Sequence, residues 1–145
     1  MEPLLTFPAI TTGLCACLLI LQQSLLLNVG MHRGATGVGV GSNGDEHLER
    51  KARRHANLAE NSARFVLGLA FLEMSSVSWA IIMAFAIVFG ASRLFHAIAF
   101  MSLTGSHRPL PGNPFVVARM IGAFGTALSG LGVGGLLLFN LLTAI

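Results

Sequence analysis

The chain has 145 residues, 54% of them hydrophobic and only 10% charged, with a formal net charge of +3 at neutral pH and a mean hydropathy of +0.75. That balance excludes an ordinary soluble domain and marks an integral membrane protein. The pI of about 9.7 does not call for nucleic acid as a partner, because the positive charge gathers at one end of the apolar runs and no nucleic-acid-binding pattern accompanies it; membrane lipid is the expected partner.

A helix needs about 20 mostly apolar residues to cross a hydrocarbon layer of roughly 30 Å. Four windows answer to this, at about residues 4–29, 58–72, 77–103 and 115–142. The first has Glu2 in place of a basic leader and is longer than a signal core, so it reads as a retained span. Its Cys15 and Cys17 sit two apart on one helix, point to nearly opposite sides and cannot pair with each other. The second window is short alone but becomes long enough if its helix starts near Asp45, where Gly41, Ser42, Asn43, Gly44 and Asp45 supply loop and N-cap chemistry. Connections this short leave no room for a soluble domain, and backbone polar groups in lipid must be satisfied internally. The expected fold is therefore all-α, an integral membrane four-helix bundle forming a single domain over residues 1–145.

Arg33, Arg50, Lys51, Arg53 and Arg54 fall between the first two windows and Arg108 between the last two, whereas the stretch between the second and third offers Glu73 and serines. Both basic loops are expected in the cytoplasm and both termini on the opposite side. For Arg33, Lys51 and Arg54 this topological role is explanation enough.

The stretch ERKARRHANLAEN, residues 49–61, calls for more. Arg50, Arg53, Asn57, Glu60 and Arg64 are spaced 3, 4, 3 and 4 apart and share one face of a helix that runs toward the bilayer interior. Charges at membrane depth cost several kcal/mol unless paired or wet. A single charge would read as a structural ion pair; five aligned polar groups read as a site. In the third window RLFHAIAF puts Arg93, His96 and Phe100 on one face. Arg93 needs a counter-charge, for which Glu60 is the expected partner and Glu73, near the other membrane face, the lesser one. His96 is open to three roles: general base, ligand donor, or hydrogen-bonded helix contact. The five histidines show no spacing suited to a metal, and none is expected. In the fourth window Asn113 and Pro114 suit a helix start, and Gly122, Gly125, Gly130, Gly132, Gly134 and Gly135, with a Gly130-x-x-x-Gly134 step, suit close helix packing, within one bundle or between subunits. Arg119 either faces the same cavity mouth or reaches to the interface.

RRHANLAE, residues 53–60, resembles the R-x-H-x-N-x-x-E signature on the second helix of the MAPEG proteins, membrane-associated proteins in eicosanoid and glutathione metabolism. RLFHAIAF is similar to their R-x-x-H-x-x-A-aromatic element on the third helix, and chain length and charge placement also resemble the small bacterial members. The resemblance implies a homotrimer in a bacterial inner membrane, with glutathione as co-substrate in a polar cleft between subunits. It also implies transferase or peroxidase activity toward a lipophilic electrophile or hydroperoxide. Arg53, Asn57 and Glu60, with Arg50 on the same face, would hold the tripeptide, Arg93 and His96 would line the cleft, and Arg108 or Arg119 would be the catalytic arginine. The chain has no tyrosine and carries Phe100 where the family often has an aromatic hydroxyl. Thiolate stabilisation would then fall to arginine, histidine, serine or backbone donors. Two other readings stay open: a MAPEG-like protein that binds lipid or glutathione without turnover, and a small transporter or proton relay built on Glu60, Arg93 and His96.

Overall fold

A computed structural model describes residues 7–75 and 77–144. Its element order is α1 (Ala9–Thr36), α2 (Glu46–Glu73), α3 (Trp79–Ala99), a short α4 (Leu103–Ser106) and α5 (Pro114–Ala144). The described residues are all helix, turn and loop, with no strand. Three helices, α1, α3 and α5, are long and apolar enough to cross a membrane. The α2 helix is as long as α1, but its first half carries the charges discussed above.

Each helix end has a local cause. The αL conformation of Gly37, at φ 70°, closes α1 by letting its N–H donate to the Arg33 carbonyl at 2.8 Å. Arg33 then turns its guanidinium onto the loop and donates to the carbonyls of Val38, Gly39 and Gly41. Asp45 caps α2 as the sequence predicts, accepting from His47 N at 2.8 Å and Leu48 N at 3.0 Å. The same carboxylate receives His32 Nε2 at 2.7 Å, which joins the end of α1 to the start of α2. At the other end Glu73, the last residue of α2, accepts from Ile10 N and Thr11 N, both at 2.8 Å, and from Thr11 Oγ1 at 2.6 Å. Pro8 offers no side-chain cap to α1, so the cap comes from another helix, at the membrane face the sequence assigns to Glu73.

Two boundaries differ from expectation. The first helix runs on to Thr36, past the predicted end near residue 29, while residues 4–6 of that window lie outside the described residues. The third helix stops at Ala99, short of residue 103, because Ser102 takes an extended conformation and starts α4 by accepting from Thr104 N. The core is the shared apolar interior of α1, α2, α3 and α5, with Leu69, Leu72 and Ile82 fully buried. At its centre the Phe65 and Phe89 rings stack 3.7 Å apart.

The glycines of α5 divide between two faces of the helix. A Cβ at Gly122 would lie 2.7 Å from His96 N, one at Gly125 would meet the Ser92 hydroxyl, and one at Gly132 would lie 2.5 Å from the Phe85 ring. These three let α5 lie directly on α3. Gly130 and Gly134 have nothing within 4 Å and face outward.

Two outcomes follow. Replacing Glu73 with Ala removes three charge-assisted hydrogen bonds and should cost about 2 kcal/mol, read as a lower thermal midpoint in detergent, with Glu73→Gln intermediate. The His32 hydrogen bond, followed by the Leu48 N–H, pulls the Asp45 pKa from its ordinary 3.8 to about 2. A depressed carboxylate stabilises the fold fully above pH 3.8 and loses that contribution as pH falls toward 2. Thermal midpoints across that window should fall more steeply for the parent than for Asp45→Asn.

Candidate functional site

The polar face of α2 separates into parts with different neighbours. Arg50 is half-buried and donates from Nη1 to the Phe100 carbonyl at 2.7 Å, tying α2 to the C-terminal end of α3. Arg53 and Asn57, one turn apart, join Glu49, His96, Phe100, Ser106, His107 and Arg119 around a cavity of about 280 Å³. Asn57 and His96 also belong to an adjoining depression of about 620 Å³, whose polar lining adds Asn61, Arg64, Arg93 and Thr126 and whose wall includes Gly130. The two spaces form a trough between α2 and α5, floored by α3 and closed at one end by α4.

Arg93 holds this trough together. It is 2% exposed and donates from Nη1 to Asn57 Oδ1 at 2.7 Å, and from Nη2 to the Gly122 carbonyl at 3.2 Å and to the Thr126 hydroxyl. Its guanidinium also lies 5.7 Å from the Phe89 ring centre. The expected ion pair with Glu60 is therefore not formed: among the described residues no carboxylate pairs with Arg93, Glu60 is exposed, and Glu73 caps α1. The cation is held by neutral oxygens from α2 and α5, which solvate the charge without cancelling it. That net charge faces the trough.

His96 is 7% exposed and its ring stacks on Phe100, centre to centre 4.8 Å. The other candidate arginines part company. Arg119 lines the cavity, stacks 5.3 Å over Phe100 and is steadied by the carbonyls of Gly105 and Ser106. Arg108 lies outside that lining and pairs with Glu46 at 2.8 Å, with 69% of its side chain exposed. Lys51 and Arg54, given a topological role, reach His32 and Asn28 of α1.

Five polar lining residues, Glu49, Asn61, Ser106, His107 and Thr126, were not among the sequence candidates. Glu49 sits one turn before Arg53, on the edge of the polar stripe, and so was legible from spacing. Thr126 lies on the face of α5 that carries Arg119 and Gly122, but a threonine in an apolar helix does not declare a partner. Ser106 and His107 enter because α4 folds the linker back over the cavity. An apolar groove of about 600 Å³ between α1 and α3, with Leu14, Cys17 and Gly90 in its lining, shares no residue with the trough and carries no charge.

Asn57→Leu keeps approximate volume but strands a buried guanidinium. It should cost on the order of 2 kcal/mol in stability, whereas Arg108→Ala, which breaks an exposed pair, should cost less than about 1. Denaturation of both variants in the same detergent compares them directly.

Comparison with curated proteins and with solved structures gives no match. The MAPEG family model matches residues 11–139, a stretch that takes in α2 and α3 whole, most of α1 and α5 and every residue of the trough, and the chain belongs to the MAPEG family.

Proposed function

We propose that this protein is a glutathione-dependent membrane transferase or peroxidase whose site is the trough between α2 and α5. The observation that carries the reading is the convergence of Arg53, Asn57, His96 and Arg119 on one small cavity, beside a buried Arg93 whose charge no carboxylate among the described residues offsets. Such a cavity suits a tripeptide with two carboxylates: arginines take the carboxylates and Glu49, with Asn57, offers acceptors for the amine. A thiol held there ionises more readily than its ordinary pKa of about 8.5 implies, because positive neighbours favour the thiolate. The thiolate then attacks a lipophilic electrophile or hydroperoxide delivered from the bilayer.

Assembly as a homotrimer belongs to the same proposal. Glu60 and Arg64 are exposed on a single chain. Arg64 lies nine residues before Glu73, about 14 Å along the helix at a rise of about 1.5 Å per residue, which is near the middle of a roughly 30 Å hydrocarbon layer if Glu73 marks one face. Bare charges at that depth are costly, and a neighbouring subunit laid against the open faces of α2 and α5 would cover them. In this arrangement α2 is the fourth span, the loops holding Arg33 and Arg108 face the cytoplasm, and the membrane is a bacterial inner membrane.

A second reading, binding without turnover, draws on the lack of any tyrosine in the chain. One experiment separates the two. Calorimetry of glutathione against the detergent-purified protein, with thiolate absorbance followed in the same samples, should show saturable binding and thiolate formation. Arg119→Gln should weaken binding by about tenfold and raise the pH at which thiolate forms by about 1. Binding without thiolate would favour the second reading, and no binding would overturn both.

A further inference from the structure

Glu49, His107 and Ser106 form a line at the cavity wall. Glu49 Oε2 lies 3.5 Å from His107 Nε2, and His107 Nδ1 lies 3.0 Å from Ser106 Oγ. All three line the cavity, and they come from two separate elements, the first turn of α2 and the end of α4. Glu49 is at ion-pair distance and favours the proton on Nε2, the tautomer in which Nδ1 carries the lone pair and accepts from the Ser106 hydroxyl. That hydroxyl also lies 3.1 Å from the Ser102 carbonyl, so it can turn.

The charged and titratable groups facing His107 are Glu49 and Arg53 from α2, His96 from α3 and Arg119 from α5. The arginines carry no lone pair to take a proton, Glu49 stands as the counter-charge to His107, and the His96 ring, 7% exposed, lies stacked against Phe100. His107 is the remaining base, with 22% of its side chain exposed.

We propose that His107, oriented by Glu49 and reached through Ser106, accepts the thiol proton of glutathione bound in this cavity; the proposal rests on the glutathione reading above. As the S–H bond breaks, its proton passes to Ser106 Oγ, and the Ser106 hydroxyl proton passes to His107 Nδ1. A thiolate is left facing Arg119 and Arg53, and the imidazolium is held by Glu49. Between an ordinary thiol and an ordinary imidazole this transfer is unfavourable by about 100-fold. The two arginines beside the thiolate and the carboxylate beside the imidazolium act against that deficit. The arrangement gives a tyrosine-free chain a place to put the proton.

Proton counting tests it. Glutathione is titrated calorimetrically into the full-length protein at pH 7 in buffers of different ionisation enthalpy, with thiolate absorbance recorded in parallel. The parent should form thiolate while releasing well under half a proton to the buffer, because His107 retains it. His107→Gln should bind glutathione within about threefold of the parent but form at least tenfold less thiolate at pH 7, and whatever thiolate it forms at higher pH should release a full proton. Ser106→Ala should keep binding and slow thiolate formation. Glu49→Gln, a change at a positioning residue, should move the onset of proton release to lower pH, since the imidazolium loses its counter-charge. Thiolate formation in the parent with a full proton released, or an unaltered His107→Gln, overturns the proposal while leaving the glutathione reading intact. Binding without thiolate in the parent also overturns it. Absence of glutathione binding in the parent overturns the underlying reading and this proposal with it.

Discussion

The structure turns on a buried guanidinium that no carboxylate among the described residues offsets. Arg93 sits where α2, α3 and α5 meet, and every hydrogen-bond acceptor it uses is neutral: the Asn57 amide oxygen, the Gly122 carbonyl and the Thr126 hydroxyl. A buried charge left without partners is costly, so these contacts, made by the two terminal nitrogens while Nε has no partner among the described residues, hold the spacing of three helices. Gly122 serves twice, since its lack of a side chain lets α5 approach His96 and its carbonyl then reaches Arg93. Had Glu60 supplied the partner, the charge would have been cancelled inside the protein. Left uncancelled, it adds to the potential that Arg53 and Arg119 create in the trough.

The remaining contacts set that trough at one end of the bundle. Glu73 fastens the far end by capping α1, while Asp45, His32 and the loop clamped by Arg33 fasten the near end. Arg50 fixes the end of α3, and Glu46 and Glu49 draw the α3–α5 linker toward α2 through Arg108 and His107. The linker thereby becomes a wall of the cavity instead of a free loop. In the function proposed above, this opening with polar walls at the end of an otherwise apolar bundle is where a water-soluble thiol and a membrane-dissolved substrate would meet.

Much of this was legible in the sequence. The Asp45 cap, the helical character of 49–61 and the grouping of Arg93, His96 and Phe100 all follow from spacing and from the chemistry of helix ends. What spacing does not provide is the identity of the neighbour across a helix face. The expectation of a Glu60 partner for Arg93 rested on charge alone, and neutral acceptors such as Asn57 and Thr126 leave no comparable mark in a sequence. The α5 glycines met the same limit, because spacing does not say which of them pack on α3 (Gly122, Gly125 and Gly132) and which, as Gly130 and Gly134, face outward on a single chain. Arg108 and His107 show how finely position matters: adjacent in the chain, one faces water and Glu46 while the other faces the cavity, a difference decided by the turn that ends α4.

The central claim is that the uncancelled charge around Arg93 makes the trough an anion site completed by a neighbouring subunit. An experimental structure of the protein in a lipid nanodisc with glutathione bound tests it most directly. The account predicts three copies, with Glu60 and Arg64 covered, Arg93 still on Asn57 and Thr126, and glutathione between Arg53 and Arg119 with its sulfur on the Ser106 side. A single uncovered chain, an Arg93 paired with Glu60, or glutathione bound away from this trough would contradict it.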